Sequence, residues 1–288
     1  MTTRILYLLP VALLLGACAK PHTIAVGSMG GTEQRLLGEI VAQHLERRLE
    51  GIQVQRQFEI GDTPILYQAL LGGQIDLYPE YTGGAIAKIL QEEVPRDAAV
   101  ALDRTRQELA RRAQIYVSRP LGFDARYAAV VRSSDTAGIS TMSQAAEGSM
   151  KWRPGVSLEF QSRSDGLPNL NAYRLPLGTA IRAMQPGQLF AAITSGEVNM
   201  VVVPGTDSHL TQPEWKVLED DRHLNTPQQA VLLVSQDRIQ EYAKLQPALD
   251  ELAGKLTQGT MLRLNVEVDL KERPVKEVAA EFLKGAGL

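Results

Sequence analysis

The chain has 288 residues, of which 44% are hydrophobic and 22% are charged, and its formal net charge at pH 7 is −3. This length exceeds what one hydrophobic core usually covers, so it predicts two lobes. Acidic and basic residues are interspersed along the chain, which argues against nucleic acid as a partner, because nucleic acid selects a concentrated positive surface.

The first 17 residues have the composition of an export signal. Arg4 supplies a positive start, and residues 5–15, ILYLLPVALLL, form an apolar run that is too short to span a bilayer. Small residues precede Cys18, the only cysteine, and LGAC resembles the lipobox of bacterial lipoproteins, whose cysteine is acylated. We predict a signal peptide over 1–17, a lipid anchor on Cys18 and an exported protein that faces the periplasm or the cell exterior. The alternative is an ordinary secretory signal followed by a chance cysteine.

Short apolar strands alternate with longer helical segments from residue 22 onward. In the first part of the chain we predict strands at 22–28, 52–60 and 114–119 and helices at 32–50, 63–73 and 96–113. Thr32 is expected to be the N-cap of the first helix.

The segment IDLYPEYTGG, residues 75–84, joins an apolar run to a glycine pair. Pro79 has no backbone N–H to give to a sheet, so we predict that it ends a short strand. Glu80, Tyr81 and Thr82 would then lie on the loop that follows.

A second cycle of strands and helices begins near residue 125. We predict strands at 125–133, 157–163, 197–203 and 228–236, and helices at 178–195, 237–257, 258–265 and 274–286. Extended stretches near 119–127 and 226–230 are candidates for paired crossovers between lobes. The alternation predicts α/β lobes with mostly parallel sheets.

Four segments of the chain, taken in order, resemble one known family. They are VGSMGGTEQRLLGEIVAQHLE, IGDTPILYQALLGGQIDLYPEYTGG, LEFQSRSDGLPNLNAY and LNVEVDLKERPVKEVAAEFLKGAGL. Together they resemble the substrate-binding proteins of osmoprotectant ABC importers, which take up glycine betaine, choline, carnitine and related quaternary amines. The resemblance implies a periplasmic-binding-protein fold, type II-like, with two α/β lobes joined by two crossovers and a ligand in the cleft between them.

On this basis we assign residues 18–125 together with 229–288 to lobe 1, and residues 126–228 to lobe 2. The resemblance further implies a monomer that closes on a small molecule and delivers it to the permease of an ABC importer. A lipoprotein sensor or scaffold without a transport role is the alternative from another class.

The family holds its ligands with a cage of tyrosines and with basic residues for a carboxylate. Tyr81 in PEYTG and Tyr127 in GFDARYA match two cage tyrosines, and Arg163 in FQSRSDG matches the arginine for the carboxylate. A quaternary ammonium has no hydrogen to donate, so it is held by aromatic faces through cation–π attraction.

Other positions depart from the family pattern. Met29 stands where a lysine is usual, Pro204 and Gln228 stand where tyrosines are usual, and Gly84 replaces a threonine. Weaker candidates for ligand contact are Met29, Thr32, Thr206 and Gln228. Two interpretations stay open: a quaternary-amine binder with a reduced cage, or a pocket altered for another zwitterion or cationic amino-acid derivative.

Motifs of the common enzyme classes are missing from the sequence. It has no G-x-S-x-G, P-loop, HExxH or dinucleotide-binding glycine pattern, and its four histidines have no metal-ligand spacing. We therefore predict that the protein is not an enzyme and needs no cofactor or metal.

Overall fold

The computed structural model describes residues 22–136 and 138–288, so the predicted signal peptide and Cys18 lie outside the described residues. The described strands form two five-stranded sheets. They are β1 (Thr23–Gly27), β2 (Gln53–Gln57), β3 (Leu77–Tyr81), β4 (Ile115–Val117), β5 (Tyr127–Arg132), β6 (Pro154–Ser157), β7 (Arg182–Met184), β8 (Met200–Pro204), β9 (Trp215–Leu218) and β10 (Ala230–Ser235).

Helices surround both sheets. They are α1 (Thr32–Arg48), α2 (Thr63–Leu71), α3 (Thr82–Gly84), α4 (Ala98–Ala113), α5 (Met142–Glu147), α6 (Leu158–Ser162), α7 (Leu167–Asn171), α8 (Leu189–Ser195), α9 (Gln236–Glu241), α10 (Leu245–Glu251), α11 (Gln258–Asp269) and α12 (Val275–Gly285). A π-helical segment, Ala85–Leu90, continues α3. Within the described ranges, no helix is both long and apolar enough to cross a membrane.

Each lobe contains one sheet with apolar clusters on its two faces. The strand order is β2-β1-β3-β10-β4 in the first sheet and β7-β6-β8-β5-β9 in the second. Neighbouring residues of β3 point to opposite faces, so Leu77 packs with α1 while Tyr78 packs with α2. The buried Trp152 belongs to a cluster of the second lobe.

The chain passes from one sheet to the other twice, between β4 and β5 and again between β9 and β10. An isolated antiparallel bridge between Asp124 and Gln229 joins the two passages. The two predicted crossovers are therefore present, and they run side by side.

The prediction of mostly parallel sheets is wrong, because both sheets are mixed. β10 runs antiparallel to β3 and to β4, and β5 runs antiparallel to β8 and to β9. β5 and β10 are the strands that directly follow the two crossovers. Each therefore enters its sheet from the end nearest the other sheet and runs antiparallel to its neighbours. Alternation of strands and helices does not reveal this reversal.

Pro79 does not end a strand, contrary to the prediction. It lies in the middle of β3 opposite Leu232. The Leu232 N–H donates to the Ser118 hydroxyl, and the Leu232 C=O accepts the Ser118 N–H, just after β4. The pair is therefore a non-hydrogen-bonded one, in which the missing N–H of proline has no consequence for the β10 ladder. Glu80 and Tyr81 belong to the strand, and Thr82 begins α3 rather than a loop.

Three other local predictions need correction. The predicted strand 157–163 is α6, because the Ser157 hydroxyl caps it by accepting the Phe160 N–H at 3.0 Å. The predicted helix 178–195 is α-helical only over α8, with β7 and a 3₁₀ turn, Pro186–Gln188, before it. Gly31, with a φ of 96°, is the N-cap of α1, so Thr32 is the first helical residue.

Two of the predicted closing helices also have different bounds. The predicted helix 237–257 is interrupted and forms α9 and α10, while the predicted helix 258–265 extends to Asp269 as α11. The predicted helix 274–286 corresponds to α12.

Candidate functional site

Tyr81 is the last residue of β3, at the end of the strand that leads into α3. Its hydroxyl donates a short hydrogen bond to Glu33 of α1, and its ring makes an edge contact with Phe123, with 6.4 Å between ring centres. Burial, together with the neighbouring Glu33 carboxylate, raises the pKa of Tyr81 well above its ordinary value. The hydroxyl therefore stays protonated and acts as a donor at any physiological pH.

Glu33 connects Tyr81 to the second lobe. Its Oε2 accepts a hydrogen bond from the Asn265 side-chain amide at 2.9 Å, and the same amide nitrogen donates to the Thr206 carbonyl at 2.8 Å. Burial raises the pKa of Glu33, while hydrogen bonds from Tyr81 and Asn265 lower it in part. The carboxyl of Glu33 is thus held in place by polar groups and lacks a cationic partner among these contacts.

Tyr127 and Arg163 lie together in the second lobe. Tyr127 is the first residue of β5 and packs at 67° against Phe160, with 4.7 Å between ring centres. The Arg163 Cζ lies 5.7 Å from the centre of the Tyr127 ring, within the range of cation–π attraction. The structure therefore brings together two of the three residues that the family resemblance assigns to the ligand.

The Arg163 guanidinium is buried and already paired. Its Nε and Nη2 donate to the two carboxylate oxygens of Asp165 at 2.8 and 2.7 Å, and Arg163 is only 4% exposed. Asp165 Oδ2 also accepts hydrogen bonds from Thr226 at 2.5 Å and from Gln228 at 3.3 Å. Gln228 thus supports the arginine–aspartate pair. A ligand carboxylate would have Nη1 of Arg163 as its donor.

Glu80 is a buried carboxyl at the junction of the two lobes, and sequence reasoning did not place it in the site. Its Oε1 accepts the Tyr81 N–H at 2.7 Å. A Cβ atom on Gly84 would lie 2.9 Å from Glu80 Oε1 and 3.6 Å from Arg163 Nη1, so this glycine allows both groups to approach the same backbone. Burial raises the pKa of Glu80 from its usual 4.5 to about 7.

The weaker candidates lie in different places. The Met29 sulfur accepts the Thr63 hydroxyl at 3.6 Å, and Thr206 lies beside Glu33. The Thr32 hydroxyl donates to Asp269 at the end of α11, away from the Tyr81 hydroxyl. The structure therefore groups Thr206 with Tyr81 and Gln228 with Arg163, and it engages Thr32 elsewhere.

Polar contacts bridge the lobes around this site. Lys88 of the π-helical segment lies 3.4 Å from Glu159 of α6, and Glu159 lies 3.7 Å from Arg163 Nη1. Gln258 of α11 donates to the Gly205 carbonyl at 3.0 Å. With the Asn265–Thr206 contact, these pairs join the two lobes across the cleft.

Two mixed sheets joined by two crossovers, with buried aromatic and charged side chains between them, define the class of bilobed solute-binding proteins. Residues 22–285 match the family described as the substrate binding domain of ABC-type glycine betaine transport systems, and the chain belongs to that family. It is accordingly an extracytoplasmic substrate-binding component of an ABC importer and not an enzyme.

Individual relatives carry more specific names. The chain is 29% identical, over 92% of its length, to the ergothioneine transport permease/ergothioneine binding protein EgtU of Helicobacter pylori, of which it spans about half (48%). It is 27% identical to the carnitine transport binding protein OpuCC of Listeria monocytogenes, with 96% of this chain and 93% of that protein covered. A glycine-betaine-binding protein of Pseudomonas aeruginosa is 28% identical over 98% of this chain and 93% of its own length.

A solved structure has the same architecture. The crystal structure of a glycine betaine/carnitine/choline ABC transporter component superposes with a TM-score of 0.80 at 24% identity, covering 92% of this chain and 98% of the other. The similarity confirms the predicted periplasmic-binding-protein fold.

Proposed function

We propose that this protein captures a quaternary-amine or betaine-type solute between its lobes and delivers it to the permease of an ABC importer. The observation that carries the proposal is that one lobe contributes Tyr81 and the other contributes Tyr127 and Arg163, with the buried Glu80 directly beside Tyr81. Carnitine, glycine betaine and ergothioneine, the solutes in the names of the relatives, all contain a trimethylammonium group.

The charge around this site suits a positive ligand group. Asp165 offsets the charge of Arg163, while Glu33 and Glu80 lie on either side of Tyr81 in the network of contacts. A trimethylammonium is held by aromatic faces and by nearby negative charge without hydrogen bonds. The ring of Tyr127 supplies the aromatic face, and the two carboxyl groups supply negative charge when they are ionised.

A second candidate is a ligand that also donates or accepts hydrogen bonds. Among the described residues, the acceptor oxygens Gln34 Oε1, Asn265 Oδ1 and Glu80 Oε2 are buried and have no hydrogen-bond partner. Buried polar atoms are normally paired, so they favour a ligand with polar hydrogens. Ergothioneine combines a trimethylammonium with a ring that carries N–H groups, whereas glycine betaine has no N–H.

A thermal-shift screen followed by calorimetry tests the ligand class. The compounds to test are glycine betaine, choline, carnitine, proline betaine, ergothioneine and amino acids. A compound that binds, present at a concentration 100 times its dissociation constant, stabilises the fold by about 2.7 kcal/mol. Replacing Tyr127 with leucine is expected to weaken a quaternary-amine binder about tenfold, because one aromatic face is lost.

Tyr116→Leu is the matched control, since Tyr116 is a half-buried tyrosine of β4 next to the charge of Asp250. Its affinity for the ligand should equal that of the unaltered protein. A screen in which no quaternary amine raises the unfolding midpoint, or equal affinity of the Tyr127→Leu variant, contradicts the proposal.

We also propose that the mature protein begins at Cys18 and is anchored there by lipid, and that the lobes divide as 18–125 with 229–288 and 126–228. Several acyl chains make membrane attachment stable. The Cys18→Ala variant should therefore move from the detergent-rich to the aqueous phase in detergent partitioning, while unchanged partitioning argues for an ordinary secretory signal.

Loss of ligand uptake in cells without the protein separates an importer component from a sensor or scaffold.

A further inference from the structure

Glu80 combines complete burial with incomplete hydrogen bonding. It is 1% exposed, its Oε1 accepts the Tyr81 N–H, and its Oε2 has no partner among the described residues. It lies in β3 immediately before Tyr81 and opposite Val231 of β10. A carboxyl in this position has no solvent to stabilise its charge.

Groups on four elements, α2, β3, β5 and α6 with the residue that follows it, lie near the Glu80 carboxyl. The hydroxyl of Thr63 on α2 and the rings of Tyr78, Tyr81 and Tyr127 are polar but uncharged neighbours. The charged neighbours are Glu159 and Arg163, and both already have partners.

The two charged neighbours leave Glu80 without a cation of its own. Arg163 is held by Asp165 through two hydrogen bonds, and Glu159 lies 3.4 Å from Lys88. Buried carboxyls that lack a cation become neutral in part of the physiological pH range. The direction of the Glu80 pKa, which burial raises to about 7, agrees with this geometry.

We infer that Glu80 is a specificity-determining residue whose protonation sets the charge of the ligand cleft, so that low pH favours zwitterionic ligands and high pH favours cationic ligands. Protonated Glu80 offers an O–H donor to a ligand carboxylate. Ionised Glu80 pairs with a ligand cation, and its proton passes to the solvent. This inference rests on the proposed function for the position of the ligand.

Choline and glycine betaine are suitable probes, because choline is a cation and glycine betaine a zwitterion throughout the range pH 5.5–8.5. Dissociation constants are measured by calorimetry at both ends of the range for the unaltered protein, Glu80→Gln and the control Glu93→Gln, which changes an exposed glutamate. We expect the ratio of the glycine betaine constant to the choline constant to rise about tenfold or more with pH. It should rise in the Glu93→Gln variant and stay constant in Glu80→Gln.

A ratio that does not change with pH in the unaltered protein, or that changes equally in Glu80→Gln, overturns the inference. If neither probe binds, the proposed ligand class fails, and the ionisation of Glu80 is then read directly. In glutamate labelled with carbon-13, the carboxyl resonance that is missing from the Glu80→Gln spectrum should titrate between pH 6 and 8. A midpoint below pH 5.5 overturns the inference independently of any ligand.

Discussion

Replacing Arg163 with methionine is expected to lower the free energy of unfolding by about 3–5 kcal/mol, because it leaves the buried Asp165 without its cation. The two side chains are 3% and 5% exposed, so water cannot take over the charge of the aspartate. Urea unfolding at pH 7 measures the change.

Two further variants separate structure from ligand binding at this position. Arg182→Met removes an exposed arginine that pairs with Glu197 at the surface, and it should cost less than about 1 kcal/mol. The double variant Arg163→Met/Asp165→Asn removes both charges and should regain most of the stability. If it regains stability but not ligand affinity, Arg163 also contacts the ligand, whereas an Arg163→Met variant as stable as the unaltered protein contradicts the buried pair.

We expect Glu80→Gln to raise the free energy of unfolding at pH 8 by about 3 kcal/mol more than it does at pH 4.5. The reason is that the variant avoids a buried unpaired charge, which Glu80 carries only at the higher pH. The folded-state pKa of Glu80 is raised from its usual 4.5 to about 7. Below pH 4.5 the carboxyl is protonated in the folded and the unfolded chain, and its contribution to stability is fully present. Between pH 4.5 and 7 the unfolded chain loses the proton first, so the unaltered protein loses stability as the pH rises.

Unfolding free energies of the two proteins, measured in parallel from pH 4.5 to 8, check this expectation. Subtracting one unfolding free energy from the other removes the contributions of all titrating groups that the two proteins share, including Glu33. Glutamine retains the side-chain oxygen that accepts the Tyr81 N–H, so the local hydrogen bond survives the substitution. Profiles that stay parallel over the whole range would show that the pKa of Glu80 is not raised in the folded state.

Local patterns in the sequence were sufficient for the elements whose packing follows the chain. The apolar period of α1 and the apolar run of β10 predict both elements to within a few residues. Errors occurred where a distant partner decides the local structure. Pro79 remains in a strand because Leu232 opposite it bonds elsewhere, and this pairing spans more than half of the chain.

The same distinction between local patterns and distant partners holds for the residues of the candidate site. The resemblance to a family led to Tyr127 and Arg163, which the structure brings together. It did not indicate that Arg163 is neutralised by a neighbouring Asp165, or that Glu33 bonds to Asn265, 232 positions along the chain. Carboxyl groups of this kind have no sequence signature, because their role depends on burial and on partners that only the tertiary fold supplies.

The position of β10 in the first sheet has a consequence for biosynthesis. β4 pairs with β10 alone, and the end of β3 at Tyr81 pairs with Ala230. The second sheet, by contrast, is complete once the chain reaches Leu218. The second sheet can therefore form first, whereas the first sheet stays open until β10, in the last quarter of the polypeptide, is present. A chain that ends before Ala230 thus lacks the strand that completes the first sheet next to Tyr81.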